Sequence, residues 1–217
     1  MILDAVIISD AKSADLLGVT VDCLDSLYDT RVNIIVVEKQ KKEYVGVTTL
    51  RQLGEFNYNR YMNEAARIGS APYIGFFNND LIFSPPWLDA MLKAFEVTGA
   101  DSASPSDPHL YKATRGIKWG SRSGKELLGW AIVLKRATWN NIGGLDESVR
   151  FWCAENVYEE QIKKHHLRHI LVYGSQVHHL RETTLKTLDQ PTYEEYTRMQ
   201  VRQYNSLFRK NLFGWGS

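Results

Sequence analysis

Residues 75–83, GFFNNDLIF, run apolar into two asparagines and an aspartate and then turn apolar again. A buried strand wants paired backbone and apolar side chains. Asn78, Asn79 and Asp80 therefore suit a strand end, where the chain emerges at the edge of a cleft. Two chemistries are open to them. Asn and Asp form polar turns by bonding their own backbone. An aspartate carboxylate also suits a hard divalent cation such as Mg²⁺ or Mn²⁺. Two other apolar runs end the same way, AVIISD at Ser9 and Asp10 and VNIIVVE at Glu38. Three polar strand ends converging on one edge are the first sign of a site.

The elements that position these groups follow from periodicity. AVIISD, VNIIVVEK and APYIGFFNND are short, β-branched or aromatic runs, as buried parallel strands are. Between them lie helical patterns. The first has Thr20 as its cap, with Val21, Leu24 and Leu27 at helical spacing. The second covers residues 53–69, with Tyr58, Met62 and Ala65 on one face and a stop at Gly69. Pro85 and Pro86 open a third, since proline suits a helix's first turn. Strands alternating with helices predict an α/β fold, a mostly parallel sheet flanked by helices. In such sheets ligands bind beyond the carboxyl ends of the strands.

Beyond residue 100 the pattern changes. Residues 101–126 are polar, rich in Gly and Ser, and long for a connection, as lids and binding loops are. That stretch carries Lys112, Arg115, Lys118, Arg122 and Lys125 interleaved with Tyr111 and Trp119. It would be a solvated loop, a cover for an anionic donor, or a contact for an anionic acceptor such as nucleic acid. A strand and short helix (127–139), a turn (143–149), an amphipathic helix (150–166), a strand ending in two histidines (169–180) and a C-terminal helix with an aromatic, glycine-containing end complete the pass. The expectation is one domain over 1–217. Residues 1–100 would be the nucleotide-binding half, and 101–217 the acceptor half with the last helix.

Composition narrows the partners. A net charge of +1 supplies no global field to gather nucleic acid or anionic membrane. No apolar run reaches the length of a membrane span, and the N-terminal residues lack a signal peptide's basic region. Cys23 and Cys153 are too few and too far apart for a disulfide framework. Reduced core thiols and a cytoplasmic location are expected.

The order of these segments resembles the GT-A glycosyltransferases, in particular family 2. The likeness is carried by AVIIS and the helix after it, by FNYNRYMNEAA, by YIGFFNNDLIFSPPWLDAML, by LLGWAIVLKRATWNNIGGLDESV and by ENVYEEQIKKHHLRHILVYGSQVHH. Together these span residues 3–180. The resemblance implies transfer of a sugar from a nucleotide diphosphate sugar, a UDP-sugar by preference, to a hydroxyl on a glycan or on a modified DNA base. It implies Mn²⁺ or Mg²⁺ held by Asp80 and by a histidine of the last strand, His178. It assigns Ser9, Asp10, Glu38, Asn57, Arg60, Asn63, Asn78 and Asn79 to the donor. On the acceptor side it implies Glu155, with Asp146 as a weaker catalytic candidate, and Trp152, Asn156 and Trp130 as acceptor contacts. Family-2 enzymes usually place a Glu-Asp pair where this chain has Glu155-Asn156, and Asn156 cannot be a base. FWCAEN is also similar to the Trp-Gly-Gly-Glu-Asn segment of retaining polypeptide N-acetylgalactosaminyltransferases, so the stereochemistry stays open. Two other classes fit parts of the pattern. A sugar nucleotidyltransferase would need a Gly-rich, Arg-containing loop after the first strand, which is missing. A non-catalytic nucleotide-sugar or glycan-binding module is favoured by Asn156 and opposed by Asp80, Glu155 and His178.

Overall fold

A computed structural model of the chain describes residues 1–180 and 190–214. The first half is built on β1 (Leu3–Ser9), α1 (Ala14–Leu27), β2 (Val32–Glu38), β3 (Thr48–Arg51), α2 (Tyr58–Ala66), β4 (Tyr73–Asn78), β5 (Leu81–Phe83) and α3 (Trp87–Thr98). The second half adds β6 (Ser102–Ser106), β7 (Ile117–Trp119), β8 (Ala131–Lys135), α4 (Arg136–Ile142), α5 (Ala154–Lys164), β9 (His169–His179) and α6 (Gln190–Phe208). A short 3₁₀ turn, Leu212–Gly214, follows. The predicted tail continues to residues 215–217, which lie outside the described residues.

The strands form one sheet in the order β3-β2-β1-β4-β8-β6-β9-β5, with β7 also on β9. β3, β2, β1 and β4 run parallel. β8 is antiparallel to β4 and β6, while β9 is parallel to β6. The expected α/β architecture is present. The alternation of apolar runs and helices fixes it, because a parallel sheet must be covered on both faces. One core places α1 and α3 against the sheet around Phe77, Met91 and Phe95. The other places α2, α4 and α5 on the opposite face around Tyr61, Met62 and Phe76. A third, smaller cluster seats α6 on α5 through Val157, Val201 and Tyr204.

Three local expectations are corrected. Ser13, not Thr20, caps α1, accepting the Leu16 amide at 3.3 Å. Thr20 is instead fully buried in mid-helix and gives its hydroxyl to Leu16 O. Pro86 stands at the N-cap of α3, one residue before its first turn. Residues 102–106, taken for loop, are the buried strand β6, Ser-Ala-Ser-Pro-Ser. Its serines survive burial because each finds a partner. Ser102 Oγ meets His169 Nδ1 at 2.8 Å, Ser104 Oγ accepts the Leu128 amide, and Ser106 Oγ donates to Tyr173 O. Polar burial is tolerated once hydrogen-bonded, and composition alone cannot show that. No helix among the described residues is long and apolar enough to cross a membrane.

Both thiols are buried and unpaired, as expected. Burial pushes Cys23 and Cys153 up to about 12, so neither is a nucleophile at neutral pH.

Candidate active site

β4 ends at Asn78, whose amide donates to Trp130 O at 2.9 Å. The chain then turns through Asn79 and buried Asp80 into β5, which pairs antiparallel with the end of β9. That pairing puts Leu81 opposite His179 and Ile82 opposite His178. Neighbouring strand residues face opposite sides, so only one histidine can meet Asp80. It is His179, with Nε2 3.3 Å from Asp80 Oδ1. The Trp130 ring stacks on His179 with centroids 5.1 Å apart and planes 25° from parallel. The expected His178 faces the other way, its Nδ1 3.9 Å from Asp107 Oδ1. The His-His pair announced a strand end, but the facing member depended on β5–β9 register.

This corner fits a divalent cation. The His179 Nε2 is buried and makes no hydrogen bond among the described residues. It points at a carboxylate only 7% exposed. One carboxylate and one imidazole suit Mn²⁺, which accepts both donor types and keeps positions for phosphate oxygens. Asn78 belongs to the same corner and accepts the Tyr58 hydroxyl at 3.2 Å. Asn79 points into the fold, donating to Thr20 Oγ1 at 2.9 Å.

At the ends of β1 and β2 lies a buried polar network. Glu38 accepts the Tyr44 hydroxyl at 2.6 Å and the amides of Ala11 and Gln40 at 3.2 and 2.7 Å. Ser9 bonds Thr20 at 3.0 Å and approaches Tyr44 at 3.3 Å. Glu38 is 1% exposed and Ser9 1%. Both side chains are bonded within the fold and shape the strand ends from beneath. Asp10 stays accessible beside Lys39 and Gln40. Lys39 and Gln40 in turn line an open cavity of about 700 Å³, together with Lys12, Ser13, Lys41, Lys42 and Arg51 among others.

Each α2 residue expected at the donor makes contacts within the fold. Asn57 caps α2 and donates to Glu147 O. Arg60 bonds Glu55 O and lies over the Tyr61 ring. Asn63, 1% exposed, accepts from Trp139 Nε1 and the Leu145 amide and donates to Leu145 O and Glu147. Polar helix residues signal no direction, and here Asn57 and Asn63 hold the turn after α4.

Glu155 opens α5 behind Cys153, whose φ of 66° is the left-handed region. A Cβ on Gly129 would come within 2.7 Å of Glu155 Cβ and 3.0 Å of its Oε2. Only glycine allows that approach. Burial raises the Glu155 pKa, and bonds from its own backbone and from Ser123 offset this in part. Buried Tyr58 is raised first by burial and then by the charges of Glu155 and Asp80. Its hydroxyl thus lies where both carboxylates are felt. Sequence reasoning assigned Tyr58 only to a packing face, and no signal marked it otherwise.

The remaining acceptor-side residues divide. Trp130 joins the Asp80 corner. Asn156 is half-buried on α5. Asp146 accepts the Ser148 amide at 2.8 Å within its own turn, a local structural use of the carboxylate. Trp152 packs edge-on to Phe151 and Tyr193, under α6. In the basic stretch, Lys118 and Arg122 both pair with buried Glu126, at 2.8 and 2.7 Å. The hydrogen bond from Arg122 leads in pulling Glu126 down to about 2. Two of the five cations are thereby committed internally, and the nucleic-acid expectation finds no support.

The sequence matches the family model described as Glycosyl transferase family 2 over residues 6–148. A search of curated proteins finds no match. Solved structures share the fold. GalNAc-T7 with UDP, GalNAc and Mn²⁺ superposes with a TM-score of 0.66 at 12% identity, over 100% of this chain and 53% of that one. The mannosyltransferase PcManGT from Pyrobaculum calidifontis, in complex with GDP-Man and Mn²⁺, gives 0.65 at 11%, over 96% and 64%. S. aureus TarS 1-349 gives 0.62 at 10%, over 98% and 74%. The chain thus spans about half the length of the first of these and under two thirds of the mannosyltransferase.

Proposed function

The chain belongs to glycosyl transferase family 2, and from that premise we propose that it moves a sugar from a nucleoside diphosphate donor to a hydroxyl acceptor. The observation that carries this reading is the corner where Asp80, His179 and Trp130 meet beyond the carboxyl end of β4. Asp80 and His179 would hold a Mn²⁺ or Mg²⁺ ion. When bound, such an ion supplies positive charge to a departing diphosphate. Trp130 keeps the His179 ring turned toward the carboxylate and shields the pair from water. Asn78 offers a side-chain amide, oriented by Tyr58, to the ribose or to a bound water. The nucleotide lies over the ends of β1 and β2, where Asp10 is a half-buried carboxylate and buried Glu38 fixes the backbone beneath. A UDP-sugar is the donor we favour, supported by the presence of UDP in the GalNAc-T7 structure.

Glu155 is the acceptor-side carboxylate. Desolvation raises its pKa, the direction that makes a carboxylate a better proton acceptor. In an inverting course it takes the acceptor proton; in a retaining course it positions the acceptor hydroxyl. The acceptor class we favour is a glycan hydroxyl. The two unpaired thiols fit a reducing compartment. A second reading, a nucleotide-sugar-binding module without turnover, is favoured by Asn156 beside Glu155.

The test is donor hydrolysis. Purified protein is incubated with UDP-, GDP- and other nucleotide sugars, with and without Mn²⁺, and free nucleoside diphosphate is assayed. Release from one donor, dependent on metal, is the expected result. Silence across the panel, with no donor binding by calorimetry, overturns the reading.

A further inference from the structure

The opposite face of β9 carries a second constellation that the reaction does not use. Asp107 directly follows β6 and is fully buried; His109 comes two residues later, exposed; His178 comes from β9. One donor atom from each lies within 4.8 Å of the other two. The Asp107 carboxylate is anchored, with Oδ1 accepting the His109 amide at 2.8 Å and Oδ2 the His179 amide at 3.4 Å. The two imidazole rings sit with centroids 4.3 Å apart. His178 Nδ1 is buried, points toward the carboxylate at 3.9 Å, and has no hydrogen-bond partner among the described residues. Burying an imidazole nitrogen without a partner is costly. A bound cation would satisfy it.

We infer that Asp107, His109 and His178 form a second metal site, separate from the Asp80–His179 corner and selective for an imidazole-binding transition ion of the Zn²⁺ or Co²⁺ class. Two imidazoles and one carboxylate are the donors such ions take, with a fourth position left for water. Donors about 2.0–2.2 Å from an ion lie at most about 4.4 Å apart. The observed spread therefore closes with a small rotation of exposed His109. Strand alternation separates the two sites, because His178 and His179 face opposite sides of β9. An ion here would tie the start of the polar segment after β6 to the last strand.

Co²⁺ is the probe, since tetrahedral or five-coordinate Co²⁺ absorbs strongly in the visible. Titrated into Asp80→Ala, Co²⁺ should develop that absorption at one equivalent, and Zn²⁺ should bleach it. Adding His109→Ala to Asp80→Ala should weaken binding by at least about tenfold. In the otherwise native chain, His109→Ala alone should lower the number of Zn²⁺ ions bound by one. No visible Co²⁺ band in Asp80→Ala, or equal Zn²⁺ binding with and without His109, overturns the second site. The readout is metal binding and not turnover, so a failure of the transferase reading leaves it intact.

Discussion

The donor corner and the acceptor corner are built by different means. Asp80 and His179 are set by backbone pairing: β4 stops, β5 pairs with β9, and register chooses the histidine. Glu155 is set by packing: a glycine gives it room, and burial raises its pKa. The first arrangement presents charge to a ligand. The second holds a carboxylate whose charged form burial disfavours. A family can therefore alter the acceptor corner residue by residue, while a change of register at the donor corner would exchange one histidine for the other.

The largest expected effect strikes the donor corner. Asp80→Ala should lower metal-dependent donor hydrolysis by about 10³-fold, because the ion loses its carboxylate. Mn²⁺-dependent donor binding by calorimetry should vanish with it. Unchanged metal-dependent binding would remove Asp80 from the donor site and with it the contrast.

At the acceptor corner, Glu155→Gln should reduce transfer to an added acceptor by about 10²–10³-fold, with donor binding retained. Its stability should move the other way. Burial favours the neutral acid, so the folded-state pKa lies above the unfolded one. The stability this group contributes is present below the unfolded value of about 4.3 and is lost as pH rises through the folded value. At pH 7 the carboxylate therefore opposes folding, and the amide should raise Tm. The gain should disappear below about pH 4. An equal Tm difference at both pH values would show that Glu155 is not desolvated.

Gly129→Ala sharpens the packing claim. It should cost about 1–3 kcal/mol in a denaturant titration and cut transfer by about ten- to a hundredfold. Donor hydrolysis, by contrast, should change little. Equal losses in both assays would mean that the two corners are not separable.

The smallest effect is expected at Tyr58, where the corners meet. Removing its hydroxyl in Tyr58→Phe breaks one neutral hydrogen bond to Asn78, worth about 1 kcal/mol. Donor hydrolysis should fall by several-fold. A loss as large as that of Asp80→Ala would make Tyr58 part of the chemistry and not a link between two sites.

The parallel core was legible because its strands are continuous apolar runs that end in Ser9, Glu38 and Asn78, and periodicity registers such contrasts. Asp80 was legible for the same reason, as the polar break in GFFNNDLIF. β6 was not, because Ser-Ala-Ser-Pro-Ser has a loop's composition and becomes a strand only when His169, Leu128 and Tyr173 supply its partners. Asn57, Arg60 and Asn63 looked available to a ligand, since a helix's polar side chains do not say which neighbour they meet. Glu38 likewise stands at a strand end by position, but its bonds to Tyr44, Ala11 and Gln40 are set by tertiary structure.

What the sequence determined by itself was the alternation of strands and helices, the edge on which polar groups gather, and the residue types able to hold a cation there. These are local properties, written in spacing and side-chain chemistry. Tertiary structure decided that His179 and not His178 faces Asp80, that Gly129 makes room for Glu155, and that Asp107, His109 and His178 converge. Each of these depends on register or close approach between segments far apart in the chain, and no local pattern encodes such distances.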